Sequence, residues 1–132
     1  MWRMAHKVEE LEVFGEAQRF CAAVTAILNS SRIRRTSKLF NQIAEANESI
    51  TANIDEGFDQ ESDAGFARFL YYSKGSIAEV MRRLRRASTR GEVDARAVAE
   101  LHAAAETLGK MLGGFIKYLK RSGFKDRGRF RI

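Results

Sequence analysis

Hydrophobic residues recur along this chain at alternating spacings of three and four, the signature of one helical face, through four successive segments. In the first, residues 8–28, the stripe is Phe14, Ala17, Cys21, Val24 and Leu28, widened by Val13, Phe20 and Ile27, and Asn29-Ser30-Ser31 breaks it. The second, residues 37–56, sets Leu39, Phe40, Ile43, Ala46, Ile50 and Ile54 on one side, with Thr36 or Ser37 as its N-cap. Gly57 follows directly, where a positive φ would end the helix at no steric cost. The third segment, residues 62–88, opens at Ser62-Asp63 and turns Phe66, Phe69, Leu70, Ser73, Ile77, Val80, Met81 and Leu84 inward before Gly91 stops it. The fourth, residues 94–121, repeats Val98, Leu101, Ala105, Leu108, Leu112, Phe115 and Leu119 and closes at Ser122-Gly123. Gly75 interrupts the third helix at a cost of about 1 kcal/mol relative to alanine, which predicts a close helix crossing there.

Four amphipathic helices joined by short links must run antiparallel to share one core, which predicts an all-α, up-down-up-down four-helix bundle. A three-helix bundle with a long arm, or two hairpins that complete their core by dimerising, are the alternatives. The absence of proline fits continuous helix, and 132 residues with 45% hydrophobic content suit one domain. The expected division is a bundle over residues 1–121 and a basic tail over 122–132. Lys and Arg interrupt every apolar run, so no membrane span is expected, and Val8-Glu9-Glu10-Leu11-Glu12 near the start is not a signal-peptide core. Cys21 is the only cysteine, which leaves no internal disulfide and points to a buried thiol in a soluble, cytoplasmic protein.

Charge adds a second pattern. The formal net of +6 resides in residues 116–132, where Lys117, Lys120, Arg121, Lys125, Arg127, Arg129 and Arg131 face Asp126 alone. Upstream, Glu45, Glu48, Asp55, Glu56, Asp59, Glu61 and Asp63 occupy a stretch without Lys or Arg, and Arg82, Arg83, Arg85, Arg86 and Arg90 cluster behind it. In one reading the acidic helix-two end of one subunit meets the arginine cluster of another and selects register. In the other, the arginines together with Lys120, Arg121, Lys125, Arg127, Arg129 and Arg131 contact the phosphates of RNA or DNA without regard to sequence.

The chain offers little catalytic chemistry. Neither His6 nor His102 has a glutamate three residues before it, and His102 with Glu106 one turn on is a single pair, so no metal or cofactor is expected. Asn53, Asp55, Glu56 and Glu79 could form polar contacts between helices two and three or across a subunit boundary. No histidine, cysteine or glycine-rich phosphate loop accompanies them, and no enzyme is expected. Tyr71-Tyr72 beside Phe69-Leu70 reads as core and interface.

The order Leu11-Glu12-Val13-Phe14 and Ala17, then Gln42-Ile43, Ser49-Ile50, Asn53-Ile54 and Glu56-Gly57, then Phe66, Phe69-Leu70, Gly75-Ser76 and Glu79, resembles the bacterial four-helix bundle family named for proteins encoded in intervening sequences of 23S ribosomal RNA genes. The likeness runs from Leu11 to Phe115. It implies a left-handed bundle assembling into a ring-shaped homopentamer without known enzymatic activity, with Gln42, Asn53, Glu56, Gly57, Phe69, Gly75, Ser76 and Glu79 as structural or interface positions. The chain departs from the pattern at Ala44-Glu45, where paired arginines are usual, and at Thr51, where proline is frequent, which weakens a nucleic-acid role for that helix face. The expectation is a non-enzymatic, homo-oligomeric scaffold or protein-interaction module whose partner is itself or another protein. The alternative is RNA or DNA binding.

Overall fold

A computed structural model describes residues 5–121. Within them are four α-helices: α1 (Glu12–Asn29), α2 (Lys38–Phe58), α3 (Asp63–Thr89) and α4 (Ala95–Arg121), preceded by a short 3-10 turn over Val8–Glu10. Each helix packs against its sequence neighbours, α1 also packs against α4, and the diagonal pairs do not meet, an arrangement compatible with a four-helix bundle. The predicted tail, including Lys125, Arg127, Arg129 and Arg131, lies outside the described residues.

The local signals act much as their chemistry requires. The Ser37 hydroxyl accepts the Phe40 amide at 3.1 Å and the Ser62 hydroxyl accepts the Gly65 amide at 3.0 Å, so α2 and α3 are capped by side chains. Helix α3 ends with Gly91 at φ 72°, its amide on the Ser88 carbonyl and the Glu92 amide on the Ala87 carbonyl, both at 3.0 Å, which is the Schellman arrangement. The first helix begins later than its periodicity suggests. Leu11 is extended and separates the Val8–Glu10 turn from α1, and Val8 and Leu11 remain buried because the turn folds back onto the core.

The core follows the predicted stripes closely: Val24, Ile43, Ile50, Ile54, Phe66, Leu70, Val80, Leu84, Leu112 and Leu119 are fully enclosed. Cys21, Ile27, Leu39, Phe40, Phe69 and Phe115 sit only half-buried at the stripe edges, and Ile116 is buried beside them. Tyr71 and Tyr72 are not core at all, being 68% and 49% exposed, because they lie on the far side of α3 from Leu70 and Ser73.

Neither Gly57 nor Gly75 has the role the sequence suggested. Gly57 does not end α2 with a positive φ, since the helix continues to Phe58 and Asp59 caps it in the right-handed region. Its lack of a side chain serves packing, because an added Cβ would stand 2.8 Å from Phe69 Cβ, 2.9 Å from Phe66 Cδ1 and 3.3 Å from the Phe66 carbonyl oxygen. The close crossing expected at Gly75 is absent: that residue is exposed, with nothing within 4 Å of an added Cβ. The structure therefore predicts opposite outcomes for the same substitution. Gly57→Ala should lower the thermal midpoint, since overpacking against a neighbouring Cβ and backbone costs roughly 1–3 kcal/mol and exceeds the helix-propensity gain. Gly75→Ala should be tolerated or stabilising by up to about 1 kcal/mol. Thermal unfolding followed by circular dichroism distinguishes them, and equal destabilisation would return the close approach to Gly75.

Candidate functional site: the outer faces of α2 and α3

The seam between α2 and α3 is polar as well as close. The Ser73 hydroxyl, fully buried, donates to the Ile50 carbonyl at 2.8 Å, and Ser49 and Ser76 share a short hydroxyl hydrogen bond. Further along, Arg83 Nη1 donates to Gln42 Oε1 at 2.8 Å while its Nε donates to Glu79 Oε2 at 3.1 Å. Residue numbers rise on α2 as they fall on α3 along this line, so the two helices run in opposite directions. Gln42, Gly57, Phe69, Ser76 and Glu79 thus belong to the seam, whereas Asn53 donates to the Ser49 carbonyl of its own helix at 2.8 Å and Glu56 is exposed.

This geometry divides the predicted arginine cluster. Arg83 turns inward to Gln42 and Glu79 and is used by the fold. Arg85 Nη1 lies 3.5 Å from His102 Nδ1 on α4, and His102 Nε2 lies 3.2 Å from Glu106 Oε1. Arg82, Arg86 and Arg90 are exposed and make no ion pair among the described residues. Arg82 and Arg86 continue a row begun by Arg68, Tyr71, Tyr72, Gly75 and Ala78, all at helical spacing on the outer face of α3. Tyr71 and Tyr72 are the exposed large hydrophobic residues of the described chain, and Tyr72 is steadied edge-on by Phe69 at a centroid distance of 5.6 Å.

The outer face of α2 has the opposite charge. Glu45, Glu48, Asp55 and the C-cap Asp59 follow one another at three, seven and four residues along it, all exposed and none ion-paired among the described residues. With Phe14, Ser49, Thr51 and Ala52 the first three line a shallow groove. The five arginines read as one cluster from the sequence therefore do not form one surface, and Arg68, Tyr71 and Tyr72, which the charge pattern did not single out, join two of them. A helical projection centred on Leu70 and Leu84 would have exposed that row.

The 23S rRNA-intervening sequence protein family is matched over residues 9–114, which covers all of α1 to α3 and most of α4. The chain belongs to this family. None of the curated proteins matches it. Of the positions carrying the resemblance, Gln42, Gly57, Phe69, Ser76 and Glu79 now have a physical reason in the seam. Gly75 and Glu56 face outward instead, beside the charged rows. No helix among the described residues is long and apolar enough to cross a membrane, and no group of three or more His, Cys, Asp or Glu side chains is placed there to hold a metal ion.

Cys21, expected from the sequence to be a buried thiol, is half-buried and held neutral. Burial pushes its thiol up to about 11, a backbone hydrogen bond with Thr51 acting in the other direction, and Sγ donates to the Asn47 carbonyl at 3.3 Å. A thiol reacts through its thiolate, so near pH 8 alkylation of Cys21 should run about a hundredfold slower than that of an ordinary cysteine and climb through pH 11. Mass-spectrometric alkylation rates across pH provide the check, and an ordinary rate at pH 8 would show an accessible thiolate.

Proposed function

We propose that this protein is a non-enzymatic, self-assembling scaffold of the cytoplasm. Each copy is a left-handed up-down-up-down bundle, and the copies close into a ring, five in number by the family's pattern. The topology is supported by three sets of pairings. Cys21 meets Asn47 across α1 and α2, Ile50 meets Ser73 across α2 and α3, and Arg85 meets His102 across α3 and α4. The Arg32 amide donates to the Glu92 carbonyl at 2.8 Å, which ties the α1–α2 and α3–α4 links together at one end.

The observation that carries the assembly is the complementarity of two unpaired faces. Arg68, Arg82 and Arg86 flank two exposed tyrosines on α3, and Glu45, Glu48, Asp55 and Asp59 line α2. Exposed tyrosines next to arginine have the composition of an interface centre, since aromatic and Arg side chains combine large contact area with specific hydrogen bonding. Neighbouring helices of a bundle turn their outer faces in different directions, so an α2 face docking on an α3 face is heterologous and propagates from copy to copy, giving a ring when the rotation between copies closes. The charges then set register and orientation, while the tyrosines supply the buried area. A ring of this kind presents repeated surfaces on which a partner protein can gather.

The unpaired arginines also support the second reading, in which the α3 face meets nucleic-acid phosphates. Charge reversal separates the two. Arg82→Glu with Arg86→Glu in one chain, and Glu45→Arg with Glu48→Arg in another, should each dissociate into smaller particles by sedimentation velocity, and mixing them should restore a larger one. Reversals that leave the mass unchanged but abolish RNA binding would contradict self-assembly through these faces and favour the nucleic-acid reading.

A further inference from the structure

A different charged surface lies between α3 and α4. Lys74 from α3 and Lys110 and Lys117 from α4 border a groove whose floor is Gly109, Gly113 and Gly114. Lys74 is laid across it, its Nζ 3.4 Å from where a Cβ on Gly113 would stand. None of the three lysines has a hydrogen bond or ion pair among the described residues. The one carboxylate in the lining, Glu106, is bonded to His102 at 3.2 Å. Arg121 stands one helical turn beyond Lys117, so the cationic row from Lys110 to Arg121 runs about 16 Å along the helix axis.

The glycines need an explanation that the fold does not supply. Each glycine within a helix costs about 1 kcal/mol relative to alanine, and an added Cβ at Gly109 or Gly114 would meet nothing within 4 Å. Unlike Gly57, neither is required by a neighbouring helix. What glycine does at these positions is leave backbone bare between ammonium groups that make no ion pair among the described residues. Three ammonium groups gathered with a single carboxylate, Glu106, among them still raise one another's energy, and an anion lying along the row relieves that repulsion.

We propose that the α3–α4 groove binds the phosphate backbone of a single-stranded nucleic acid, without regard to base sequence. The row is linear and matches a chain of successive phosphates better than a single anion. The groove runs between two packed helices and is positively charged, the arrangement by which a single strand is tracked along its backbone. Its lining has no aromatic ring on which bases could stack, so contact is with phosphate. The site is separate from the α2 and α3 outer faces and does not depend on self-assembly. It also gives Lys120 and Arg121, at the end of α4, a nucleic-acid role that Arg83 does not have.

The test is a fluorescence-anisotropy titration of a labelled oligothymidylate against the full-length protein over a salt series, with the solution mass of every variant recorded. Removing a lysine that neutralises a phosphate of a single strand flattens the log–log salt dependence by about 0.7. Lys74→Ala, Lys110→Ala and Lys117→Ala together should therefore reduce the slope by about 2, with unchanged helicity and mass, leaving whatever the C-terminal residues contribute. Gly109→Ala with Gly114→Ala should raise the thermal midpoint yet weaken oligonucleotide binding, a combination that a purely structural role would not give. The Arg82→Glu, Arg86→Glu variant should bind through the groove as before, whatever its mass. An unchanged slope in the triple lysine variant would overturn the proposal. So would loss of binding only in the arginine variant, or binding to vesicles of anionic lipid with none to the oligonucleotide.

Discussion

Gly57 brings α2 so near α3 that a single methyl group would lie 2.8 Å from Phe69 Cβ, and the rest of the fold is registered by that approach. From this point the seam runs through Ser73 on the Ile50 carbonyl and the Ser49–Ser76 pair to Arg83, which spans Gln42 and Glu79. Glycine and serine keep the separation small, and each hydroxyl removed from water finds a partner, so the closeness leaves few unmet hydrogen bonds. Because the Gly57–Phe69, Ile50–Ser73, Ser49–Ser76 and Gln42–Arg83 contacts each join one residue from each helix, sliding α3 by a turn would break several at once.

Fixing that seam also fixes what α2 and α3 turn outward. With Leu70, Ser73 and Leu84 facing the core, Arg68, Tyr71, Tyr72, Arg82 and Arg86 must face away from it, and α2 with Ile43, Ile50 and Ile54 inward must expose Glu45, Glu48, Asp55 and Asp59. The chain thus has a cationic aromatic face and an anionic one on adjoining helices, neither neutralised by its own residues. A monomer would leave both wet. A closed ring, in which each copy sets its α2 face on the next copy's α3 face, would satisfy both, which is why self-assembly is the more economical account of these surfaces.

Periodicity made the four helices, nearly all of the core and the caps at Ser37, Ser62 and Gly91 legible, because those signals are local: a stripe, a hydroxyl three residues from an amide, a glycine after a helix. What could not be read locally was what each glycine faces. Gly57 sits where a terminator would sit and Gly75 where a crossing would sit, yet only the tertiary packing shows that the close approach is at Gly57, against Phe66 and Phe69, and that Gly75 faces open space. The arginine cluster is divided for a related reason. Arg82 and Arg83 are adjacent in sequence but about 100° apart around the helix, so one reaches solvent and the other Gln42. The lysine groove was beyond sequence reasoning entirely, since Lys74 is brought to Lys110 and Lys117 only by the packing of α3 on α4.

The central claim is that the outer faces of α2 and α3 are covered by other copies of the chain. Static light scattering on the unmodified protein, followed through dilution at low ionic strength, tests it most directly. The account predicts a particle whose mass is a fixed multiple of the 14.9 kDa chain and which dissociates as salt screens the facing charges. A particle of 14.9 kDa at every concentration, with Tyr71 and Tyr72 left in solvent, would contradict it.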